Sequence, residues 1–115
     1  WERIDQLLNL GASLEAVSYL LPNAVSVRFS ESGDLLNMHH KLKARLCYNA
    51  QEEIWQASLD ELAQISEVHP TIGRYLRPPC GLRHMSQRTP FCPEGNRYCG
   101  VPVWKLQPSD YVRVI

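Results

Sequence analysis

Apolar residues recur with a helical period at the start of the chain. Those between positions 4 and 8 fall on one side of a helix, and Gly11 is placed to end that helix in the left-handed conformation. Ser13 is the predicted N-cap of a short second helix, which Pro22 ends because proline cannot continue a helix. We therefore expect two helices before position 22.

The period changes after the second helix. In residues 24–29 every second residue is apolar, with Val25, Val27 and Phe29 on one face, a pattern typical of a half-buried strand. Residues 111–115 can form an edge strand. The two segments predict a small sheet.

The longest periodic segment lies in the middle of the chain. No proline or glycine interrupts residues 34–66, and Ser32 or Asp34 can cap the segment. We predict one long helix that the His69–Pro70 pair closes. Its apolar stripe, spaced by about 3.6 residues, consists of Leu35, His39, Leu42, Leu46, Ala50, Ile54 and Ala57.

Prolines divide the remainder of the chain. Residues 71–77 have room for one or two helical turns before Pro78 and Pro79, which we expect to forbid further helix. Glycine, proline and polar residues dominate from Cys80 onward. The predicted fold class is α+β: mostly helical, with a long central helix packed on a small sheet and an irregular C-terminal tail that contains cysteine and proline.

Length and charge limit the classes of function. At 115 residues the chain has the size of one domain, and its 12 basic residues balance 12 acidic ones. No overall field attracts nucleic acid or an anionic membrane. The longest uncharged run, residues 16–27, is shorter than the roughly 18 residues that span a bilayer, and no leader pattern is present. We expect a cytoplasmic protein that binds neither nucleic acid nor membrane. Because the chain opens at Trp1, we also expect sequence before it.

The four cysteines are Cys47, Cys80, Cys92 and Cys99, too few and too unevenly spaced for the disulfide framework of a small secreted fold. The last three lie in a loop-rich segment, and Cys47 or His84 could complete a tetrahedral zinc site with them. No CxxC pair occurs, so the spacing favours free thiols over zinc.

Polar groups are concentrated in residues 45–54. On one helix Arg45, Asn49 and Glu52 or Glu53 would project from the same side. A solvated helix face with an Arg–Glu pair is the commoner interpretation of such a pattern, since these pairs contribute only about 0.3–0.5 kcal/mol. The alternative is a polar binding site.

Three segments together resemble the C-terminal half of the flavin-dependent thymidylate synthases. They are residues 19–24 (YLLPNA), 45–54 (RLCYNAQEEI) and 92–100 (CPEGNRYCG). In that family a short helix ending in Leu-Pro leads into a strand, and the long helix that follows carries an Arg, four residues and Ala-Gln-Trp-Glu-Ile. The resemblance implies that residues 1–79 form this helix–strand–long helix portion and that residues 80–115 are the tail of the same domain.

The resemblance also implies a function in nucleotide biosynthesis. Members of the family are homotetrameric methyltransferases with FAD at subunit interfaces. They methylate dUMP to dTMP, with methylenetetrahydrofolate as carbon donor and NADPH as reductant. This portion alone is not expected to complete the reaction.

Individual residues acquire roles by matching the family's motifs. Arg45 falls on the essential arginine that binds the pyrimidine and promotes loss of its N3 proton, so it is the predicted catalytic and substrate-binding residue. His40 and Asn49 fall on positions near the flavin. Asp34 stands where the family has a flavin-contacting Asn, and Ser18 where it has a second nucleotide-binding Arg.

Several positions depart from the family's pattern. Replacing an Arg by Ser18 removes a charge-assisted hydrogen bond to dUMP, a loss of roughly 1.5–3 kcal/mol or about ten- to a hundredfold in affinity. Leu36 replaces a cation, and Glu52 replaces the motif's Trp. The Arg-His-Arg and serine motif of the family's other half is absent from the chain.

Two alternatives stay open on the sequence. One is a catalytically inactive paralogue, because of the substitutions at Ser18, Asp34 and Leu36. The other is a non-enzymatic helical interaction module whose tail is pinned by zinc through Cys80, Cys92, Cys99 and either Cys47 or His84.

Overall fold

The computed structural model describes residues 1–22, 25–26 and 28–113. Within these ranges the chain is helical and contains no strand, so the predicted α+β fold with a small sheet is wrong. Residues 25–26, 28–29 and 111–113 have no regular structure, and the other positions of the two predicted strands lie outside the described residues. An alternating pattern forms a strand only where a neighbouring strand supplies hydrogen bonds, and the described chain offers none.

The chain divides into two compact units, Trp1–Ser32 and Gly33–Ile115. The first contains α1 (Glu2–Asn9), which ends as predicted at Gly11, whose φ is 86°. The N–H of Gly11 donates to the carbonyl of Leu8, and that of Ala12 to Leu7, each at 3.0 Å. This pattern is a Schellman motif, and it requires a residue that tolerates positive φ.

The second helix of the first unit is α2 (Leu14–Ser18). The Oγ of Ser13 accepts a hydrogen bond from the N–H of Ala16 at 3.2 Å, which confirms the predicted N-cap. The helix ends before Pro22 is reached, so the proline does not itself end it. Its buried residue is Val17.

The second unit begins with two helices where one long helix is predicted. They are α3 (Leu35–Arg45) and α4 (Glu52–Val68), and residues 46–51 form a turn between them, called here the 46–51 turn. The turn brings the rings of Tyr48 and Trp55 to 5.4 Å in an edge-to-face contact. A continuous helix would separate these positions by about 10.5 Å along its axis. Packing between the two rings therefore accompanies the break.

Two short helices follow, α5 (Pro70–Gly73) and α6 (Pro79–Met85). The predicted stop at His69 is confirmed, but the expectation that Pro79 forbids further helix is wrong. Proline at the first position of a helix loses no hydrogen bond, because the N–H there has no partner within the helix. The tail adds three 3-10 turns, Gly95–Arg97, Val103–Lys105 and Pro108–Asp110.

Two hydrophobic clusters hold the second unit together. The first core cluster is aliphatic and consists of Leu42, Leu46, Leu62 and Leu76 from α3, its C-cap, α4 and the segment after α5. The second core cluster is largely aromatic and consists of Tyr48, Trp55, Val103 and Tyr111. Leu59 of α4 packs against both clusters, so α4 is the element that the two share.

Two close contacts position α4 against its neighbours. The Nζ of Lys41 on α3 lies 2.8 Å from a carboxylate oxygen of Glu61 on α4. Gly73 of α5 lies against Ser66 of α4, where an added Cβ would be 2.9 Å from the Cα of Ser66. No helix among the described residues is long and apolar enough to cross a membrane.

Candidate functional site

Arg45 is the last residue of α3, and its side chain is exposed. It forms no hydrogen bond or ion pair with any residue that the structure describes. A cation in the last turn of a helix is favoured by the helix dipole, and Lys43 adds a second one there. The N–H donors of the Arg45 guanidinium therefore have no acceptor among the described residues.

The 46–51 turn that follows Arg45 is tied to the C-terminal tail. The side-chain amide of Asn49 donates to the carbonyl of Arg97 at 2.6 Å, and the Tyr48 hydroxyl donates to the carbonyl of Val112 at 3.1 Å. The partners lie 48 and 64 residues further along the chain. The backbone immediately after Arg45 is thus fixed by long-range contacts.

Arg113 makes a third attachment to the same turn. Its guanidinium donates to the carbonyl of Ala50 and lies 3.3 Å from a carboxylate oxygen of Glu52. That oxygen is buried and has no hydrogen bond among the described residues, so the contact with Arg113 is an ion pair without hydrogen-bond alignment. Sequence reasoning missed Arg113, although a lone cation in an otherwise apolar terminal segment was a signal for it.

The predicted alignment of polar groups on one helix face does not form. Because α3 ends at Arg45, Asn49 lies in the turn and not one helical turn above the arginine. Glu52 pairs with Arg113, so the predicted Arg–Glu pair on the helix is also absent. Arg45 is left alone at the helix end.

His40 is also exposed, and it has no hydrogen bond or ion pair with the described residues. Five positions separate it from Arg45 on α3, which places the two side chains about 140° apart around the helix axis. A ligand that touches both must therefore be extended or must curl around the helix.

Asp34 and Ser18 already have structural partners. An Asp34 carboxylate oxygen accepts the N–H of Asn37 at 2.8 Å, which confirms the N-cap of α3. The hydroxyl of Ser18, in the first unit, donates to the carbonyl of Glu15 at 2.6 Å. Its single proton is engaged, so Ser18 can donate to a phosphate only by giving up this bond.

An open cleft lies beside the start of α3. Its volume is about 510 Å³, within the range of small-molecule sites. The lining is apolar apart from the ring of His39 and the hydroxyls of Thr71 and Tyr75. The other lining residues are Leu35, Leu36, Ile72 and Leu76.

The four cysteines converge on a second, much smaller cavity, although they are free thiols. Burial raises the pKa of the Cys80 thiol to about 11 and also raises the pKa of Cys47. Neutral thiols are poor nucleophiles, so these two are not activated for covalent catalysis. His84 packs edge-to-face on Phe91 and does not line this cavity.

Comparisons with known proteins agree on one family. The family model described as thymidylate synthase complementing protein matches residues 1–71. A protein of Sulfurisphaera tokodaii named flavin-dependent thymidylate synthase is 31% identical over 70% of this chain and 31% of its own length. The same name is carried by relatives from Sulfolobus acidocaldarius, 32% identical over 65% of this chain and 29% of the relative, and from Aeropyrum pernix, 34% identical over 72% and 26%. No solved structure gives a significant match.

The chain spans at most about a third of the length of these curated relatives. The family match covers residues 1–71 and thus includes α1 to α4, Arg45 and the turn that follows it. The tail that fixes this turn lies beyond the matched residues. Because the family model matches 71 of the 115 residues, the chain belongs to the thymidylate synthase complementing protein family.

Proposed function

We propose that this chain is part of a flavin-dependent thymidylate synthase that methylates dUMP to dTMP with methylenetetrahydrofolate as carbon donor and NADPH as reductant. The observation that carries the proposal is that the Arg45 side chain is exposed and unpaired among the described residues. Arg45 stands at the motif position of the family's essential arginine. The backbone that follows it is fixed by three long-range contacts.

Arg45 would act on the pyrimidine by electrostatics. A fixed cation about 4 Å from a developing anion contributes on the order of 4 kcal/mol at an effective dielectric of 20. At 1.36 kcal/mol per unit this lowers the pKa of the N3 proton by up to about three units before desolvation is subtracted. An arginine suits the role because its guanidinium stays protonated and presents donors in a planar fork.

The side chains assigned to the flavin fit it unequally. His40 fits, because its imidazole is exposed and free to stack on or donate to a flat ring. Asp34 does not fit, since its carboxylate caps α3 and adds a negative charge. Asn49 donates one of its two side-chain N–H groups to the carbonyl of Arg97, which leaves the second N–H and the side-chain oxygen for a ligand. When bound, FAD supplies the redox chemistry, and this chain's residues bind and orient the reactants.

The flavin contacts that this chain lacks would come from elsewhere in the assembly. We propose a cytoplasmic homotetramer in which FAD lies between subunits. Exposed large apolar side chains support such contacts: in the first unit Trp1, Leu10 and Tyr19 are each more than 80% exposed. Exposed apolar side chains favour such contacts where they form a contiguous patch.

The full-length protein tests the proposal directly. We expect the purified protein to be yellow from bound flavin and to form dTMP when supplied with dUMP, methylenetetrahydrofolate and NADPH. A protein that binds dUMP and flavin but makes no dTMP would identify the inactive paralogue instead. A colourless protein that binds neither would refute the proposal.

A further inference from the structure

All four cysteines of the chain line one cavity in the second unit. Cys47 comes from the 46–51 turn, Cys80 from the start of α6, and Cys92 and Cys99 from the tail. The cavity has a volume of about 10 Å³, room for roughly one water-sized particle. Three separate segments thus direct every thiol of the chain toward space for one ion.

The cavity is too small for an organic ligand. Neither lysine nor arginine lines it, and the residues beside the cysteines are three prolines, two valines, Tyr48, Tyr98, Asn49 and Glu94. The Cys99 Sγ donates to the carbonyl of Val101 at 3.5 Å, and the backbones of Asn49 and Gly81 hydrogen-bond to the thiols of Cys47 and Cys80. A redox-active or nucleophilic cysteine is normally placed beside a cation, a helix N-terminus or a metal. No cation lines the cavity, and of the four thiols Cys80 alone lies at the start of an α-helix, so the shared environment of all four favours metal binding over activation of a single nucleophile.

We propose that Cys47, Cys80, Cys92 and Cys99 bind one zinc ion as a tetrahedral structural site. Zinc takes four thiolates at about 2.3 Å and in structural sites leaves no position open. Binding releases four protons, one from each thiol, and leaves a site with a net charge of −2. The inference is independent of the proposed thymidylate synthase activity.

The thiols must move together to form the site. In the part of the chain that the structure describes, no three His, Cys, Asp or Glu side chains are arranged to hold a metal ion. Three of the four cysteines lie outside α-helices, so rotation about their side-chain bonds and small shifts of irregular backbone can close the set. The structure also selects the fourth ligand, because Cys47 lines the cavity whereas His84 packs on Phe91.

A zinc site here would pin the tail to the 46–51 turn. Cys92 and Cys99 flank the 3-10 turn that contains Arg97, whose carbonyl accepts the Asn49 amide. Cys47 precedes Asn49 by two positions. The metal would therefore reinforce an attachment that hydrogen bonds already make.

Metal content of the full-length protein tests the site. After growth with zinc and dialysis against metal-free buffer, we expect about one zinc per chain by mass spectrometry of the metal. We expect Cys80→Ser and Cys92→Ser to lower the zinc content by more than about tenfold, since even outer-shell changes weaken metal binding by about 10- to 100-fold. His84→Ala is the matched control and keeps the zinc.

Cobalt substitution tests the wild-type protein in case the serine variants do not fold. Co²⁺ added to the apo protein is expected to give the visible and thiolate charge-transfer bands of a tetrahedral four-sulfur site, which Zn²⁺ then displaces. Zinc-free protein whose four thiols all react rapidly under native conditions would overturn the proposal. So would an intact mass that shows disulfides between these cysteines, or loss of zinc in His84→Ala with retention in Cys80→Ser.

Discussion

Arg113 offers the most informative test of how the tail supports the motif. Arg113→Ala removes the guanidinium hydrogen bond to the Ala50 carbonyl and the ion pair with Glu52. A hydrogen bond from a charged group is worth about 1.5–3 kcal/mol, and a partly exposed ion pair adds at most about 1 kcal/mol. Because the Arg113 side chain is 16% exposed and that of Glu52 is 41% exposed, we assign most of the loss to the hydrogen bond. The free energy of unfolding should fall by about 2–3 kcal/mol.

Urea unfolding followed by tryptophan fluorescence measures this loss. With a slope of about 2 kcal/mol per molar, the midpoint of Arg113→Ala should fall by roughly 1 M. Arg97→Ala is the matched control, because Arg97 accepts the Asn49 hydrogen bond through its backbone carbonyl and its side chain has no partner among the described residues. Amide exchange in the 46–51 turn should accelerate in Arg113→Ala alone. Equal midpoints for the two variants would refute the role assigned to Arg113.

Two further predictions concern the second unit, and unfolding midpoints measure both. Tyr48→Phe loses a hydrogen bond to a backbone carbonyl and should cost about 0.5–1.5 kcal/mol. The buried Tyr111 hydroxyl interacts with Arg77 but has no well-aligned hydrogen bond among the described residues, so Tyr111→Phe should cost less. The reverse order would contradict this hydrogen-bond assignment. Gly73→Ala should cost about 1–3 kcal/mol or more, because its Cβ would overlap Ser66 on α4. At Gly33 an added Cβ would lie 3.8 Å from the Cβ of Asn37, an ordinary van der Waals contact, so Gly33→Ala should change stability little. An unchanged midpoint for Gly73→Ala would show that α4 and α5 separate easily.

Local chemistry made the end of α1 and the starts of α2 and α3 predictable. The caps at Ser13 and Asp34 and the left-handed Gly11 depend on neighbours within a few residues, and all three predictions are confirmed. The break between α3 and α4 depends on contacts between residues that are distant in the sequence. It is accompanied by contacts of Tyr48 and Trp55 with residues of the tail more than 45 positions away, which periodicity alone cannot reveal.

The candidate site was predictable to the same degree. The motif proposes Arg45 from the sequence, whereas its separation from Asn49 and Glu52 follows from a helix end that the sequence did not reveal. For the cysteines, the sequence pattern gave less than the fold shows. Their spacing lacks a CxxC pair and so favoured free thiols, but the fold brings all four to one cavity through a turn, a helix start and a tail. Sequence separation is a poor guide to distance where irregular segments fold back on a helix.

The central claim is that Arg45 acts on the nucleotide and not on the fold. In the full-length protein, Arg45→Ala should lower the rate of dTMP formation by about a thousandfold, the equivalent of about 4 kcal/mol. Flavin absorbance and the sedimentation coefficient should match those of the wild type and of Arg97→Ala. Turnover within a few fold of the wild type would contradict the claim.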